Sequence, residues 1–498
     1  MDDMEFTDFT EESQGRLEET DMDREEQLDE ETPQLEEEVL QLDEEAPQLE
    51  AEEDLLVSQT ADIMDEENPA LLEEEEVLPE EEEVQEPTGI FEPVTAAGKV
   101  LVPLTGEEEE PSQELAPQTP PKKEKKQKEK KPPKPKKLRK PMNPKVRTAL
   151  KVAKWVLFIL LTIVLIVGFA LGYLTITEYN PAHSENATRG VVTVEKKFSG
   201  DTFKIMTLNT GYGGLGRDAD FFMDGGESVN PDSRETVVQN MLGVEDIVRS
   251  VGADFVLLQE VDTDSKRSFE INQWRQYEYD FEDYESRYAL NYSCQYVPYP
   301  LPTIGKVNSG LATFSRYDIA SASRQSLPCP FSWPMRVANL KRCLLITRIP
   351  IEGKTQEIVI VNLHLEAYDD GEGKAAQTKA LMELLTAEYE KGNYVIAGGD
   401  FNQSFPGALS RYPIKDSSTW APGTLEALPE GWHYGYDDSD PTCRLLNEPY
   451  VKGSEKVQHY VIDGFILSPN VEILSVDTRN EYFTFTDHNP VILEVILK

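Results

Sequence analysis

The stretch Tyr394-Val-Ile-Ala-Gly-Gly-Asp-Phe-Asn402 decides the reading of this chain. Residues 394–397 form a short apolar, β-branched run of the kind found in buried strands. Two glycines then carry the backbone to a carboxylate, Asp400, and an amide, Asn402. Alone, an Asp-x-Asn is ordinary turn chemistry, because such side chains cap their own backbone. The arrangement recurs, however, along the last 300 or so residues. Asn209 follows the run 203–208, and Gln259 and Glu260 follow 254–258. Asn362 and His364 close 357–365, Asp463 stands early in 461–467, and Asp487 and His488 immediately precede 490–497. Six strand ends thus carry amides, carboxylates or imidazoles beside apolar interiors. Each taken singly is a solvated end, a turn or a core histidine. Together they point to one site, and an oxygen-rich set without thiolates suits Mg²⁺, with Mn²⁺ or Ca²⁺ as alternatives, better than zinc.

Two further apolar runs, 344–351 and 471–476, complete the expected strands. Helices are expected at 234–251, with Ser233 as N-cap and Val237, Met241, Val244 and Val248 on one face, and at 375–391, ended by Gly392. Strands outnumber helices, so two sheets with helices outside are the economical architecture, an α/β sandwich.

These residues resemble the endonuclease/exonuclease/phosphatase superfamily of DNase I-like phosphoesterases. The strings are Ile205-Met-Thr-Leu-Asn209, Leu257-Leu-Gln-Glu-Val261, Asn308-Ser-Gly-Leu-Ala-Thr-Phe-Ser-Arg316, Val361-Asn-Leu-His-Leu365, Gly399-Asp-Phe-Asn402, Ile462-Asp463 and Thr486-Asp-His-Asn-Pro490, in the family's order. The resemblance implies a four-layered α/β sandwich and a hydrolase with a divalent metal. It makes Glu260 a metal ligand with Asn209 nearby, and has Asp487 support the metal or its water. Asp400 and Asn402 would position the attacking water and the phosphate. His488, oriented by Asp463, would act as acid or base or hold a phosphoryl oxygen, and His364 would contact the phosphate or assist the leaving oxygen. One departure stands out: Asn209-Thr-Gly211 lacks the carboxylate that members acting on abasic DNA tend to carry two residues after the asparagine.

The rest of the chain is organised by charge. Residues 1–121 hold 44 Asp and Glu against 3 Lys and Arg, out of a whole-chain net charge of −45. Such a segment buries too little apolar surface to offset its ordering entropy and is expected to be a disordered acidic arm. Residues 122–154 carry 16 Lys and Arg against Glu124 and Glu129, broken by prolines. Residues 155–177 then run without a charge, about one bilayer crossing, with Trp155 and Tyr173 near the ends. The reading is a single-pass membrane anchor whose basic flank keeps the N-terminus cytoplasmic and places a stalk (178–198) and the catalytic domain (199–498) outside, as in a Gram-positive surface protein. Gly168 and Gly172 form a G-x-x-x-G that could pack a weak homodimer.

From residue 178 on, 29 basic residues face 47 acidic ones, a net of −18. That balance weakens a nuclease reading without removing it, since Arg316, Arg336, Lys341 and Arg342 could form a local patch. A phospholipid or inositol-phosphate headgroup is the other phosphodiester open to such a site. The aromatics of 330–334 and 296–302 either pack the sheet, grip a substrate or dip into a membrane. Residues 221–226 are expected to form a mobile loop beside the first motif. The four cysteines include no Cys-x-x-Cys pair, and one or two disulfides stay open. The competing function is a non-catalytic adhesion or scaffold domain on the same fold.

Overall fold

A computed structural model describes residues 142–369, 371–454 and 456–498. The acidic arm and the basic segment up to residue 141 lie outside the described residues. The first element is a 33-residue helix, α1 (Pro144–Ile176), capped by Asn143, whose side chain accepts from the Lys145 amide at 3.0 Å. Pro144 sits at its first turn, where a missing N–H costs nothing. The helix therefore includes the last eleven residues of the basic segment as well as the charge-free run. It is long and apolar enough to cross a membrane, and its most apolar window is not buried against the rest of the protein.

Among the described residues, fourteen strands form two seven-stranded sheets. In chain order they are β1 (Ser184–Asn186), β2 (Thr188–Arg189), β3 (Thr202–Asn209), β4 (Phe255–Asp262), β5 (Glu285–Val297), β6 (Gly305–Ser315), β7 (Ser321–Ser326), β8 (Cys343–Pro350), β9 (Glu357–His364), β10 (Tyr394–Asp400), β11 (His433–Gly435), β12 (Asp463–Leu467), β13 (Val471–Thr478) and β14 (Val491–Leu497). One sheet runs β1-β7-β8-β9-β10-β12-β11 and the other β13-β14-β3-β4-β6-β5-β2. Among the helices are α2 (Arg234–Val251), α3 (Gln273–Asp280) and α4 (Glu372–Glu390).

Strand alternation explains the layering. The inward residues of both sheets, including Ile205, Leu257, Leu493 and Val495 from one and Ile358, Ile360, Ile396 and Phe465 from the other, close a single buried core. The outward face of the β9–β10 sheet packs through Val359, Val361, Val395 and Ala397 against Leu381 and Leu385 of α4. Helix α2 buries Val237, Met241, Val244 and Val248, the face the 3.6-residue period marks out. The fold is thus the expected four-layered α/β sandwich.

Two boundaries differ from expectation. Residues 178–198 are not a free stalk: Ser184 to Asn186 pair antiparallel with β7, Thr188 and Arg189 pair with β5, and Phe198 is only 1% exposed in the inter-sheet core. Short polar strands of this kind carry no apolar alternation, so their pairing is set by the sheet edges they meet. Strands β5 and β6, the longest pair, also escaped the strand reading, because Ser, Arg, Asn and Tyr dilute their apolar pattern. The cysteines are thiols: Cys294, Cys343 and Cys443 are buried and Cys329 is exposed.

Glu245 of α2 is buried facing Asp280, and burial together with that like charge raises its carboxyl to about 9. Its ordinary value is 4.5. Between those limits the folded protein holds a proton that the unfolded chain releases, so stability from this group is present at acid pH and lost as pH rises. Glu245→Gln is expected to stabilise the domain by roughly 1–3 kcal/mol at pH 8, with little effect at pH 4.5. Thermal melts of the two proteins at both pH values check this; equal gains at the two would refute it.

Candidate active site

Register brings three functional strands side by side. Asp400, at the end of β10, lies opposite His364 of the parallel strand β9 and opposite Asp463 of the antiparallel strand β12. The two glycines before Asp400 are required sterically. A Cβ on Gly398 would meet the Phe465 ring at 2.4 Å, and one on Gly399, whose φ is +151°, would meet the Leu363 carbonyl oxygen at 1.9 Å. From the other sheet, β3 ends on Asn209 and β4 delivers Glu260. The β4–β6 register slips between Leu258 and Val261, and Glu260 sits at a left-handed φ of +56°. A bulge of this kind re-aims a side chain that regular pleating would point elsewhere.

The side chains meet. Asn209 Nδ2 donates to Asp400 Oδ2 at 3.1 Å and lies 3.3 Å from Glu260 Oε1. Asp400 Oδ1 accepts the Asn402 backbone amide at 2.8 Å, while the Asn402 side chain donates to the Leu365 carbonyl. His364 Nε2 stands 3.4 Å and His488 Nε2 3.9 Å from Asp400 Oδ2. His488 Nδ1 is 2.9 Å from Asp463 Oδ2, and its Nε2 is 3.8 Å from Asp487 Oδ2. All eight residues singled out by the sequence therefore join one cluster, drawn from more than 270 positions of chain.

Electrostatics divides their states. Burial, with the Asp463 charge added, raises Asp400 to about 7. Burial raises Asp487 to about 6, and Glu260 adds to the effect. The two histidines diverge. Burial holds His364 well below its ordinary value, and the nearby Arg342 and His488 charges act in the same direction, so it is neutral. Burial also opposes charge on His488, but the Asp463 and Asp487 carboxylates overcome it and keep the ring protonated. Neighbouring ionisable groups pushed apart in this way are the mark of an acid–base site.

A hard cation fits this donor set. Glu260 and Asp487 present carboxylate oxygens, Asn209 lies beside Glu260 with its own Oδ1 accepting the Gly211 amide, and the buried Asp463 Oδ1 has no hydrogen-bond partner among the described residues. Asp400, Asp463 and His488 offer ligand atoms within 4.8 Å of one another. A dication there would supply the positive charge that phosphoryl oxygens require.

Other residues at the site were not legible from sequence pattern. Thr486 Oγ1 donates to the Asn209 carbonyl at 2.8 Å. Arg267 holds Asp262 through two hydrogen bonds of 3.0 and 2.9 Å and lies 3.7 Å from the centre of the Tyr212 ring. Lys374, 7% exposed in the first turn of α4, feels the Asp400 charge and faces the Trp420 ring at 5.5 Å. Tyr368 donates to Asp224 at 3.0 Å, joining the loop after β9 to the 221–226 loop, and both groups respond to charges in the cluster. In sequence these are ordinary loop and helix-surface residues; only the distant partners mark them. The arginine and lysine patch does not form as expected. Arg336 and Lys341 both pair with Glu178, Arg342 is buried near Glu366, and Arg316 lies over Tyr284.

A family model described as "Endonuclease/Exonuclease/phosphatase family" matches residues 206–488. The chain belongs to the endonuclease/exonuclease/phosphatase family. It is accordingly a phosphoester-hydrolysing enzyme, in a family whose members generally depend on a divalent metal. Among solved structures it is similar to an endonuclease/exonuclease/phosphatase from Beutenbergia cavernae, at 15% identity over 60% of this chain and 72% of that one, with a TM-score of 0.43. It is also similar to truncated TDP2 from Caenorhabditis elegans (17% identity, 59% and 97% covered, TM-score 0.36). A third is ANGEL2, a 2′,3′-cyclic phosphatase (14% identity, 64% and 99% covered, TM-score 0.40). A comparison with curated proteins gives no match.

A metal in this family site must displace protons from the raised carboxyls. With Asp400 raised to about 7 and Asp487 to about 6, divalent-metal binding at pH 6 is expected to release between about one and two protons and at pH 8.5 almost none, with affinity rising between. Calorimetric titration in two buffers of different ionisation enthalpy measures this; equal heats in both buffers at pH 6 would contradict it.

Proposed function

We propose that this protein is a membrane-anchored, Mg²⁺-dependent phosphodiesterase whose catalytic domain lies outside the cytoplasm. The observation that carries the catalytic reading is the opposition of states around Asp400. A carboxyl poised near neutrality lies between a neutral imidazole, His364, and a protonated one, His488, locked by Asp463.

In-line displacement at phosphorus needs a base for the incoming water and positive charge on the phosphoryl oxygens. Asp400, held by Asn209 and the Asn402 amide, accepts the proton of the attacking water. The His488 imidazolium binds a phosphoryl oxygen, and Asp463 fixes its ring and keeps it charged. His364, neutral, donates to the phosphate or the leaving oxygen, and Asn402 helps seat the phosphate. Glu260 and Asp487, with Asn209 beside them, would hold a divalent metal, which would supply positive charge against the phosphoryl oxygens.

The anchor rests on the charge-free run and its basic flank, with α1 as its vehicle. Gly168 and Gly172 leave an open face on that helix, suited to a weak homodimer in the membrane. Substrates of two kinds fit the chemistry, nucleic acid and phospholipid or inositol-phosphate headgroups. The net acidity of the domain and the commitment of Arg336, Lys341 and Arg342 to internal partners favour the second.

The full chain should hydrolyse bis-p-nitrophenyl phosphate with Mg²⁺ and stop with chelator. Asp400→Asn and His488→Gln should each lower kcat by about 10²–10⁴-fold with folding intact. A correctly folded protein that is silent with every divalent metal would instead identify a scaffold domain. A panel of plasmid DNA, RNA, sphingomyelin and phosphoinositides then separates the substrate classes.

A further inference from the structure

The end of α1 is built into the catalytic domain. Leu174, 5% exposed, packs among Cys294, Val297, Val307 and Val337, in a small apolar cluster separate from the two main cores. The Trp333 indole donates to Thr175 at 3.1 Å. Just beyond, Glu178 is held by Arg336 and by Lys341, each at 2.9 Å. These contacts, all within residues 174–178, leave the helix no free swivel where it meets the domain.

Beside this joint the domain exposes large apolar side chains. Met335, 66% exposed, opens the short helical segment Met335–Ala338 that meets α1, and Trp333, 55% exposed, lies two residues before it. Val297, which touches Leu174, ends β5, and the turn after it exposes Tyr299 (73%) and Leu301 (82%). We propose that this rim is a bilayer-docking surface: Trp333, Met335, Tyr299 and Leu301 enter the lipid interface around the exit of α1. The inference rests on the membrane reading of the helix and goes beyond it. Thr175 lies at the end of the charge-free run, so whatever medium surrounds that position also surrounds the indole bonded to it. Aromatic side chains with one polar atom are favoured at this depth of a bilayer.

The rim also reaches the active site. The Tyr299 ring lies 6.4 Å from that of Phe222, on the loop whose Asp224 binds Tyr368 at the mouth of the carboxylate cluster. A bilayer held against the rim therefore borders the mouth, and lipid headgroups become the phosphodiesters nearest the catalytic groups.

The five tryptophans make the test direct. Trp155 and Trp333 are exposed at 67% and 55%, whereas Trp274 and Trp432 are buried and Trp420 is half-buried. Full-length protein is reconstituted in dioleoylphosphatidylcholine vesicles with or without dibrominated lipid, as Trp155→Phe and Trp333→Phe variants. Both positions are on the surface, so folding is not at stake. In the Trp155→Phe protein, where Trp333 is the exposed reporter, brominated lipid is expected to quench at least twofold more than in the protein lacking both. Adding Leu301→Trp to that double variant should restore quenching. If Trp333→Phe is quenched through Trp155 while Trp155→Phe and Leu301→Trp are not, the helix is inserted but the rim stands off the bilayer, and the docking surface is disproved. If Trp155 too is unquenched, the membrane reading itself fails. Shielding of Trp333 from aqueous iodide without bromine quenching means that a second protein copy covers the rim, which also overturns the proposal.

Discussion

Two buried amides tie the sheets together directly beneath the catalytic cluster, and the site depends on them. Gln259 Nε2 donates to Asn362 Oδ1 at 2.8 Å across the inter-sheet space. Asn362 returns hydrogen bonds to the Leu258 and Ala312 carbonyls, at 3.1 and 2.9 Å. Both side chains are fully buried in an otherwise apolar core. A buried amide left unpaired costs more than a made bond contributes, so this exchange admits essentially one relative placement of the two sheets. Each tie residue is adjacent or near to a site residue on its own strand, Gln259 before Glu260 and Asn362 two before His364. Fixing the sheets therefore fixes the distance between metal-side and phosphate-side groups.

Above that tie the polypeptide accepts local strain to crowd charges together. Glu260 and Asn402 hold left-handed backbone, and Gly399 passes the Leu363 carbonyl too closely for any side chain. Crowding has an electrostatic consequence. Burial and neighbouring carboxylates raise Asp400 and Asp487, so these two keep protons at pH values where exposed carboxyls are bare. Carboxylates beside His488 keep it charged, while burial and nearby positive charges hold His364 neutral. A bound cation would offset this crowding of negative charge.

The junction of α1 with the domain adds a second constraint. A tether that merely linked helix to domain would let the site face any direction, whereas Leu174 in its apolar cluster and Glu178 between two cations bind helix and domain as one piece.

The sequence alone determined the strands whose apolar runs are uninterrupted, the α2 face and the residues at six strand ends, because local period and side-chain type carry that information. It also determined the charge-free helix. It did not determine that residues 184–189 join both sheets, nor that β5 and β6 form the longest pair, since polar edge strands take their structure from their neighbours. Tertiary structure alone decided the protonation of Asp400 and His488, the disposal of Arg336, Lys341 and Arg342 as internal struts, and the recruitment of Lys374 and Tyr368 to the cleft. Each of these depends on groups distant in the chain, and a field or a contact between such groups leaves no local trace in the order of residues.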